Sequence, residues 1–202
     1  MRFVLVFDFG GVIVQTQTHA PRHAWDRSLG RRLGTVESIV HGSESWRQAQ
    51  LGRITHQEHW DFVARQLKLD RDQLARLEAD YFSADTIADD VVGLIERQRA
   101  LGRRVALLSN DSAALRDKLD RLDLARLFDP IVISAEIGHM KPDPDAYRYM
   151  IDMLDVVPAR TVFIDDMPVN VDGARAISMN AVLYMPGLRL EDALAQYLAA
   201  DP

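Results

Sequence analysis

Four groups of polar residues, each following a short apolar run, carry the side chains that could do chemistry in this sequence. They are Asp8 with Gly10 and Gly11, Ser109 with Asn110, Lys141 with Pro142, and Asp165 with Asp166. Aspartate carboxylates are hard oxygen ligands of the kind that Mg²⁺ prefers, and a carboxylate or hydroxyl can act as a nucleophile. A lysine beside them would supply positive charge for a phosphate group. Together, the four groups indicate metal-assisted phosphate chemistry.

Each group also has a structural explanation when it is taken alone. Aspartate after a strand and a Ser-Asn pair are common turn or helix-cap residues, and a loop lysine is usually solvated. What favours a shared site is that all four groups follow apolar runs, because the carboxyl ends of parallel strands lie along one edge of a sheet.

The elements that must position these groups alternate between strand and helix. Continuous apolar runs predict buried parallel strands, and the helical spacing of the segments between them predicts helices. The strands are predicted at residues 3–7, 105–108, 131–133, 161–164 and 181–185, and the helices at residues 90–101, 112–122, 145–154, 169–177 and 191–198. The sequence therefore predicts an α/β fold with a doubly wound, Rossmann-like parallel sheet.

Residues 15–87 interrupt this alternation. They contain amphipathic helix patterns at residues 55–67 and 71–81 and no convincing apolar strand. We expect residues 1–14 and 88–202 to form the core domain and residues 15–87 to form an inserted helical cap. Because the insertion leaves the core directly after the first strand, it is expected to lie over the strand ends as a lid.

Composition excludes several classes of function. The 202 residues include 24 basic and 30 acidic side chains, a formal net charge of −6, and no cysteine, which excludes thiolate nucleophiles, disulfides and cysteine-ligated zinc. The acidic balance argues against general nucleic-acid binding, and the longest apolar stretch, residues 3–14, is too short to span a membrane. With no recognisable secretory signal, we expect a cytoplasmic protein that binds neither nucleic acid nor membrane. The oligomeric state is left open.

The ordered set of motifs resembles the haloacid dehalogenase (HAD) superfamily over nearly the whole chain. DFGGV at residues 8–12 resembles its first motif, Ser109-Asn110 its second, Lys141-Pro142 its third, and DDMPVN at residues 165–170 its fourth. Residues 15–87 are similar to the small α-helical cap of one subfamily. The resemblance implies a Mg²⁺-dependent phosphatase that acts on a small phosphorylated metabolite.

The resemblance also implies roles for the residues nearest the reaction. Asp8 would be the nucleophile and form an aspartyl-phosphate that water then hydrolyses. Mg²⁺ would be bound by Asp8, the backbone carbonyl of Gly10 and Asp166.

Other motif residues would act around the phosphoryl group. Ser109 and the backbone N–H of Asn110 would donate hydrogen bonds to it, and Lys141 would neutralise its charge and orient the nucleophile. Asp165 and Asn170 would lie one layer further from the phosphoryl group and hold these residues in position.

Gly10 departs from the pattern of the family's phosphatases, which usually carry a second aspartate two residues after the nucleophile. That aspartate protonates the leaving group and later activates water. Some members with glycine here resemble sugar-phosphate phosphatases, whose good leaving groups need less protonation. Asp111 and His19 are candidates to replace the missing acid and base.

Two other functions compete with the phosphatase. Haloacid dehalogenases use the same aspartate nucleophile without metal, but the resemblance gives them serine and asparagine where this chain has Asp165-Asp166. An acidic pair beside a nucleophilic aspartate crowds like charges unless a cation lies between them, which favours the phosphatase. The remaining alternative is a catalytically inactive phosphate-binding domain, for which Gly10 is the sequence support.

Histidines and tryptophans of the predicted cap have simpler explanations. His56 and His59 are spaced for one helix face, but no third metal ligand has matching spacing, so we expect a solvated or packing role. Trp25, Trp46 and Trp60 are expected in the cap core rather than in a substrate pocket.

Overall fold

A computed structural model describes residues 2–199. Its strands are β1 (Val4–Phe7), β2 (Val14–Thr16), β3 (Asp85–Ile87), β4 (Val105–Ser109), β5 (Ile131–Ile133), β6 (Thr161–Asp165) and β7 (Asn180–Leu183). Its helices are α1 (Ala20–Ser28), α2 (Thr35–Val40), α3 (Glu44–Gln50), α4 (His56–Leu67), α5 (Arg71–Tyr81), α6 (Asp89–Ala100), α7 (Leu115–Arg121), α8 (Ser134–Ile137), α9 (Pro144–Leu154), α10 (Pro168–Ala176) and α11 (Leu190–Ala199). The predicted alternation of strand and helix in the core is confirmed.

Five of the strands form one parallel sheet in the order β5-β4-β1-β6-β7. Successive residues of a strand face opposite sides of a sheet. Accordingly, Leu5 and Phe7 of β1 pack into one apolar cluster with α6, α7 and α11, whereas Val4 and Val6 pack into a second cluster with α9 and α10. Because helices cover both faces, the strands read as continuous apolar runs, and the doubly wound prediction is correct.

The strand order explains why the motifs meet. The chain passes from β1 outward to β4 and β5, and then returns to β6 on the other side of β1. β1 is therefore flanked by β4 and β6, and the carboxyl ends of these three central strands are adjacent. Asp8, Ser109 and Asp165 lie at those ends.

Residues 14–87 differ from the expected all-helical insertion. Helices α1 to α5 are present, but β2 and β3 pair as an antiparallel two-stranded ribbon at the two ends of the segment. These strands have three residues each and are only partly buried, so they leave no apolar run in the sequence. The helices share a separate apolar cluster built on Val36, Val40, Trp60, Val63, Leu67, Leu77 and Tyr81. The division into core and cap domains stays a prediction.

A buried arginine connects the helices to the ribbon. Arg22 of α1 donates hydrogen bonds to the Tyr81 carbonyl at 3.1 Å and to the Thr16 hydroxyl at 3.1 Å, and it forms an ion pair with Glu37 at 2.7 Å. Its guanidinium also lies 4.2 Å from the centre of the Tyr81 ring. A single planar cation thus fixes α1, α2 and α5 relative to β2.

One core helix begins later than its spacing indicates. Residues 112–122 were expected to be helical, but α7 begins at Leu115. The backbone N–H and hydroxyl of Ser112 are hydrogen-bonded to the Asp111 carboxylate, at 2.7 and 3.3 Å, which holds this stretch in a turn. Among residues 2–199, no helix is long and apolar enough to cross a membrane.

Candidate active site

The Lys141 side chain lies at the centre of the strand ends. Its ammonium is fully buried and donates hydrogen bonds to Asp8 Oδ1 at 2.9 Å, to Asp165 Oδ2 at 2.7 Å and to the Leu108 carbonyl at 2.9 Å. An ammonium has three N–H donors, so these partners account for all of them. Lys141 therefore joins the ends of β1, β4 and β6 in one charge cluster.

Asp165 is fully occupied by protein partners. Besides Lys141, its carboxylate accepts a hydrogen bond from the Met167 N–H at 2.8 Å, and the Asn170 amide lies 3.1 Å from both of its oxygens. Tyr147 of α9 in turn donates a hydrogen bond to the Asn170 carbonyl at 2.7 Å. The partners of Asp165 hold Lys141 in place, and this carboxylate has little freedom to bind anything else.

Asn110 fixes the loop that carries Lys141. Its amide donates to the Lys141 carbonyl and its side-chain oxygen accepts from the Lys141 N–H, both at 2.8 Å. Ser109, the preceding residue, is buried at the end of β4. The structure thus brings the second and third motifs together through a reciprocal pair of hydrogen bonds, which sequence spacing could not indicate.

The carboxylates outnumber the cations at this site. Oxygens of Asp8, Asp165 and Asp166 all lie within 4.8 Å of one another, and Lys141 is the cation that contacts Asp8 and Asp165. Gly11 permits the close approach of Asp166: its φ is +75°, and a Cβ there would lie 2.1 Å from Asp166 Oδ2. Only glycine fits both the conformation and the space.

The pKa values of two carboxylic acids at this site are raised. Burial raises the pKa of Asp8 to about 7, with Asp165 adding to the rise while Lys141 opposes it. Burial, and then the charge of Asp165, also raise the pKa of Asp166. A bound divalent cation would reverse both effects, because it favours the ionised carboxylates. Asp8 and Asp166 supply hard oxygens suited to Mg²⁺, so the donor set fits that ion.

A cavity of about 780 Å³ lies between the strand ends and the helices of residues 20–81. Its lining includes the backbone just after the nucleophile candidate, aromatic side chains from both parts of the chain, and several polar groups, among them Phe9, Gly10, Trp46, Trp60, Phe82 and Asp111. A Cβ added at Gly10 would meet no heavy atom within 4 Å. The position that lacks an aspartate therefore opens into space where a substrate could lie.

Asp111 and His19, the candidates for the missing acid and base, lie in different surroundings. Asp111 lines the cavity. His19 is exposed, pairs with Glu37 at 3.0 Å, and is not among the described residues that line the cavity.

The histidines and tryptophans of the predicted cap lie closer to the site than expected. His56, His59, Trp46 and Trp60 all line the cavity, and Trp60 also belongs to the apolar cluster of the helices. Trp25, as expected, packs against this cluster, and its indole donates a hydrogen bond to Asp80 at 2.9 Å. The expectation of a purely structural role is therefore incomplete for Trp46 and Trp60.

Sequence reasoning missed two contacts between the helices and the core. Gln50 of α3 donates a hydrogen bond to the Asn110 carbonyl at 3.0 Å, and the His56 ring lies 3.0 Å from the Ser112 hydroxyl. Both join residues more than 50 positions apart, and a single sequence carries no signal for such pairs. Both reach the short segment of residues 110–112.

A family model for haloacid dehalogenase-like hydrolases matches residues 4–178. The chain belongs to the haloacid dehalogenase-like hydrolase family. This HAD-like protein is accordingly a hydrolase, and its motifs coincide with the strand ends described above.

Relatives of this HAD-like chain differ in reaction. It is 30% identical over 189 residues to fructose-1-phosphate phosphatase YqaB of Escherichia coli (strain K12), covering 88% of this chain and 94% of the relative. It is 29% identical over 189 residues to (S)-2-haloacid dehalogenase 1 of Pseudomonas sp. (strain CBS-3), covering 88% and 82%. The structure of a HAD family enzyme of Bacteroides thetaiotaomicron, bt-2542, in complex with magnesium and inorganic phosphate, superposes with a TM-score of 0.79 at 19% identity, covering 96% and 99%, and supports the fold.

Proposed function

We propose that this hydrolase is a Mg²⁺-dependent phosphatase that cleaves a small phosphorylated metabolite through an aspartyl-phosphate on Asp8. The observation that carries the proposal is a cluster of three carboxylates in which the Lys141 ammonium contacts two, Asp8 and Asp165. Since Asp165 takes hydrogen bonds from Lys141, Asn170 and Met167, the carboxylates left for a metal are those of Asp8 and Asp166.

Asp8, the backbone carbonyl of Gly10 and Asp166 would hold Mg²⁺. When bound, the ion neutralises the excess carboxylate charge and the charge of the phosphate oxygens. The structure of bt-2542 is in complex with magnesium and inorganic phosphate, which supports a metal ion as the cofactor.

The chain's own residues would then carry the transfer. An Asp8 carboxylate oxygen attacks phosphorus as the bond to the leaving oxygen breaks, and water later cleaves the aspartyl-phosphate to restore Asp8. Lys141 contacts Asp8 directly, so it orients the nucleophile and opposes the charge of the transferring group. The Ser109 hydroxyl and the Asn110 N–H would hydrogen-bond to the phosphoryl oxygens.

The cavity supports a small organic phosphate as substrate. A volume of about 780 Å³ is in the range of small-molecule sites, and its aromatic lining suits the ring face of a sugar or a similar compact group. The similarity to a fructose-1-phosphate phosphatase agrees with a sugar phosphate.

The competing function is a 2-haloacid dehalogenase with the same Asp8 nucleophile, and the similarity to (S)-2-haloacid dehalogenase 1 favours it. Halide displacement needs no metal. Three carboxylates lie together here and the Lys141 ammonium contacts two of them, which argues for the phosphatase, because without a second cation the like charges repel.

The test is phosphate release from sugar, nucleoside and acyl phosphates, with Mg²⁺ and with a chelator. The variant is Asp8→Asn, and the control is Asp117→Asn, which makes the same change at an exposed residue of α7. Release that requires both Mg²⁺ and Asp8 is the expected result. Halide release from 2-haloacids without phosphate release would establish the dehalogenase, and binding of phosphate esters without turnover would establish an inactive binding domain.

A further inference from the structure

Asp111 is a candidate for the acid that is missing at Gly10. It follows Asn110 in the loop after β4 and lines the same cavity as Gly10. The hydroxyl of Ser134, at the start of α8, lies 3.1 Å from the Asp111 N–H and 3.2 Å from its carbonyl oxygen, so the backbone of this residue is fixed.

A chain of hydrogen bonds leads from the helices to the Asp111 side chain. Trp60 Nε1 donates to His56 Nε2 at 2.9 Å, His56 Nδ1 lies 3.0 Å from Ser112 Oγ, and Ser112 Oγ lies 3.3 Å from Asp111 Oδ1. Glu78 Oε1 also lies 3.4 Å from His56 Nε2, but the indole N–H of Trp60, at 2.9 Å, is the shorter contact. An indole N–H can only donate, so His56 Nε2 is its acceptor and the ring proton is on Nδ1. His56 therefore donates to Ser112, whose hydroxyl donates in turn to Asp111.

These hydrogen bonds leave one carboxylate oxygen of Asp111 available. Ser112 binds Oδ1 through both its N–H, at 2.7 Å, and its hydroxyl, whereas Oδ2 has no hydrogen-bond partner among residues 2–199. Burial raises the pKa of Asp111 to about 6, against the opposing effects of the Ser112 hydrogen bonds and the Lys118 charge. A carboxyl group with a pKa near neutrality can both give and take a proton under physiological conditions.

The contacts also connect the helices to this acid. His56 and Trp60 belong to α4, and Ser112 and Asp111 belong to the core. Gln50 of α3 reaches the same loop at the Asn110 carbonyl, 3.0 Å away. The orientation of Asp111 therefore depends on the helices lying against the strand ends.

Resting on the proposed phosphatase function, we propose that Asp111 replaces the absent aspartate at position 10 as the acid and base, and that His56 positions it through Ser112. In the first step, the bond from phosphorus to the leaving oxygen breaks, the bond from phosphorus to Asp8 forms, and the Asp111 proton moves to the leaving oxygen. In the second step, Asp111 takes a proton from water as the water oxygen attacks phosphorus and Asp8 leaves.

The first test compares leaving groups. Asp111→Asn removes the transferable proton while keeping the shape of the side chain, and Asp117→Asn is the control. If Asp111 protonates the leaving group, kcat/KM for phenyl phosphate falls about 100-fold or more in Asp111→Asn, whereas 4-nitrophenyl phosphate, a better leaving group, loses less than about 10-fold. Equal losses on both substrates, or none, would overturn the proposal.

The second test addresses His56 as a positioning residue. His56→Asn keeps an N–H donor near the position of Nδ1, whereas His56→Leu removes it. We expect His56→Leu to lower kcat for phenyl phosphate about 10-fold with little change for 4-nitrophenyl phosphate, and His56→Asn to recover most of the loss. Equal behaviour of the two variants would show that His56 acts only through packing.

The failure of this proposal can be told apart from failure of the phosphatase function. If wild-type protein releases no phosphate in an Asp8-dependent way, the function itself is wrong. If wild-type protein is active and Asp111→Asn retains the wild-type leaving-group dependence, only the assignment of Asp111 is wrong. Circular dichroism and thermal unfolding of each variant establish that it is folded before the rates are compared.

Discussion

The contact between Gly11 and Asp166 gives a test of the metal site that does not require a substrate. A Cβ at residue 11 would lie 2.1 Å from Asp166 Oδ2 and 2.3 Å from its Cγ, so the carboxylate must move by more than about 1 Å to restore an ordinary contact. Gly11→Ala should therefore displace one of the carboxylates proposed to bind Mg²⁺. It should also add the cost of a positive φ, about 1 kcal/mol.

Gly138→Ala separates these two effects. Gly138 has a φ of +73°, close to the +75° of Gly11, but a Cβ there would meet no heavy atom within 4 Å. It ends α8 in the left-handed conformation. This control should lose only the conformational part, about 1 kcal/mol of unfolding free energy, and should keep the full response to Mg²⁺.

The assay is urea unfolding in chelator and in Mg²⁺. At a Mg²⁺ concentration 100 times its Kd, binding to the folded state stabilises the wild type by about 2.7 kcal/mol. If displacement of Asp166 weakens binding about 100-fold, Gly11→Ala keeps only about 0.4 kcal/mol of that gain. A Gly11→Ala protein that retains the whole Mg²⁺ shift would refute the assignment of Asp166, and a wild type with no shift would refute the metal site itself.

Three further outcomes follow from buried polar groups. Lys141→Met should lower the unfolding free energy by about 3–5 kcal/mol in urea titrations, because the Asp8 and Asp165 carboxylates lose their shared ammonium; a loss below about 1 kcal/mol would contradict this. Asp26→Ala should cost about 1–3 kcal/mol in the same assay, since this buried carboxylate accepts hydrogen bonds from two backbone N–H groups at the start of α2, at 2.7 and 2.8 Å. Burial lowers the pKa of His59 to about 4, so the unfolded state, with a pKa near 6.5, binds the proton first as pH falls. The contribution of neutral His59 to the free energy of unfolding is present above pH 6.5 and is lost toward pH 4. The loss between pH 7.5 and pH 5 is about 2 kcal/mol. The free energy of unfolding of His59→Phe should therefore depend less steeply on pH over that range.

Much of the core could be predicted because its strands are covered on both faces. The residues of β1, β4 and β6 are all buried, so each strand appears in the sequence as an apolar run with polar residues only at its ends. The ribbon of β2 and β3 gave no such signal, since its residues are mostly part-exposed. Short, partly exposed strands are defined by their pairing, and pairing across 70 residues is not visible in a local pattern.

The site could be predicted only as a set of residues at one edge of the sheet. Topology brings the ends of β1, β4 and β6 together, and this part follows from the alternation of strand and helix. That Lys141 bridges Asp8 and Asp165 depends on how its loop folds back, which Asn110 determines through two hydrogen bonds. The role of each residue in the reaction stays a prediction.

His56 shows where spacing arguments fail. In the sequence it forms a pair with His59 on one helix face, and the absence of a third ligand suggested only solvation or packing. In the structure its closest partners are Trp60, one turn away, and Ser112, with Glu78 3.4 Å from its Nε2. The first contact is readable from helical spacing, but the second depends on how the helices lie against the sheet.

Electrostatics give a physical reason for an acid at residue 111 rather than at residue 10. The strand ends already hold three carboxylates around one ammonium, and burial and Asp165 together raise the pKa values of Asp8 and Asp166. A fourth carboxylate at residue 10 would add to this repulsion. Asp111 lies instead with Ser112 bound to one oxygen and with Lys118 lowering its pKa. A proton donor placed there takes part in leaving-group chemistry without competing for the cation that the other carboxylates require.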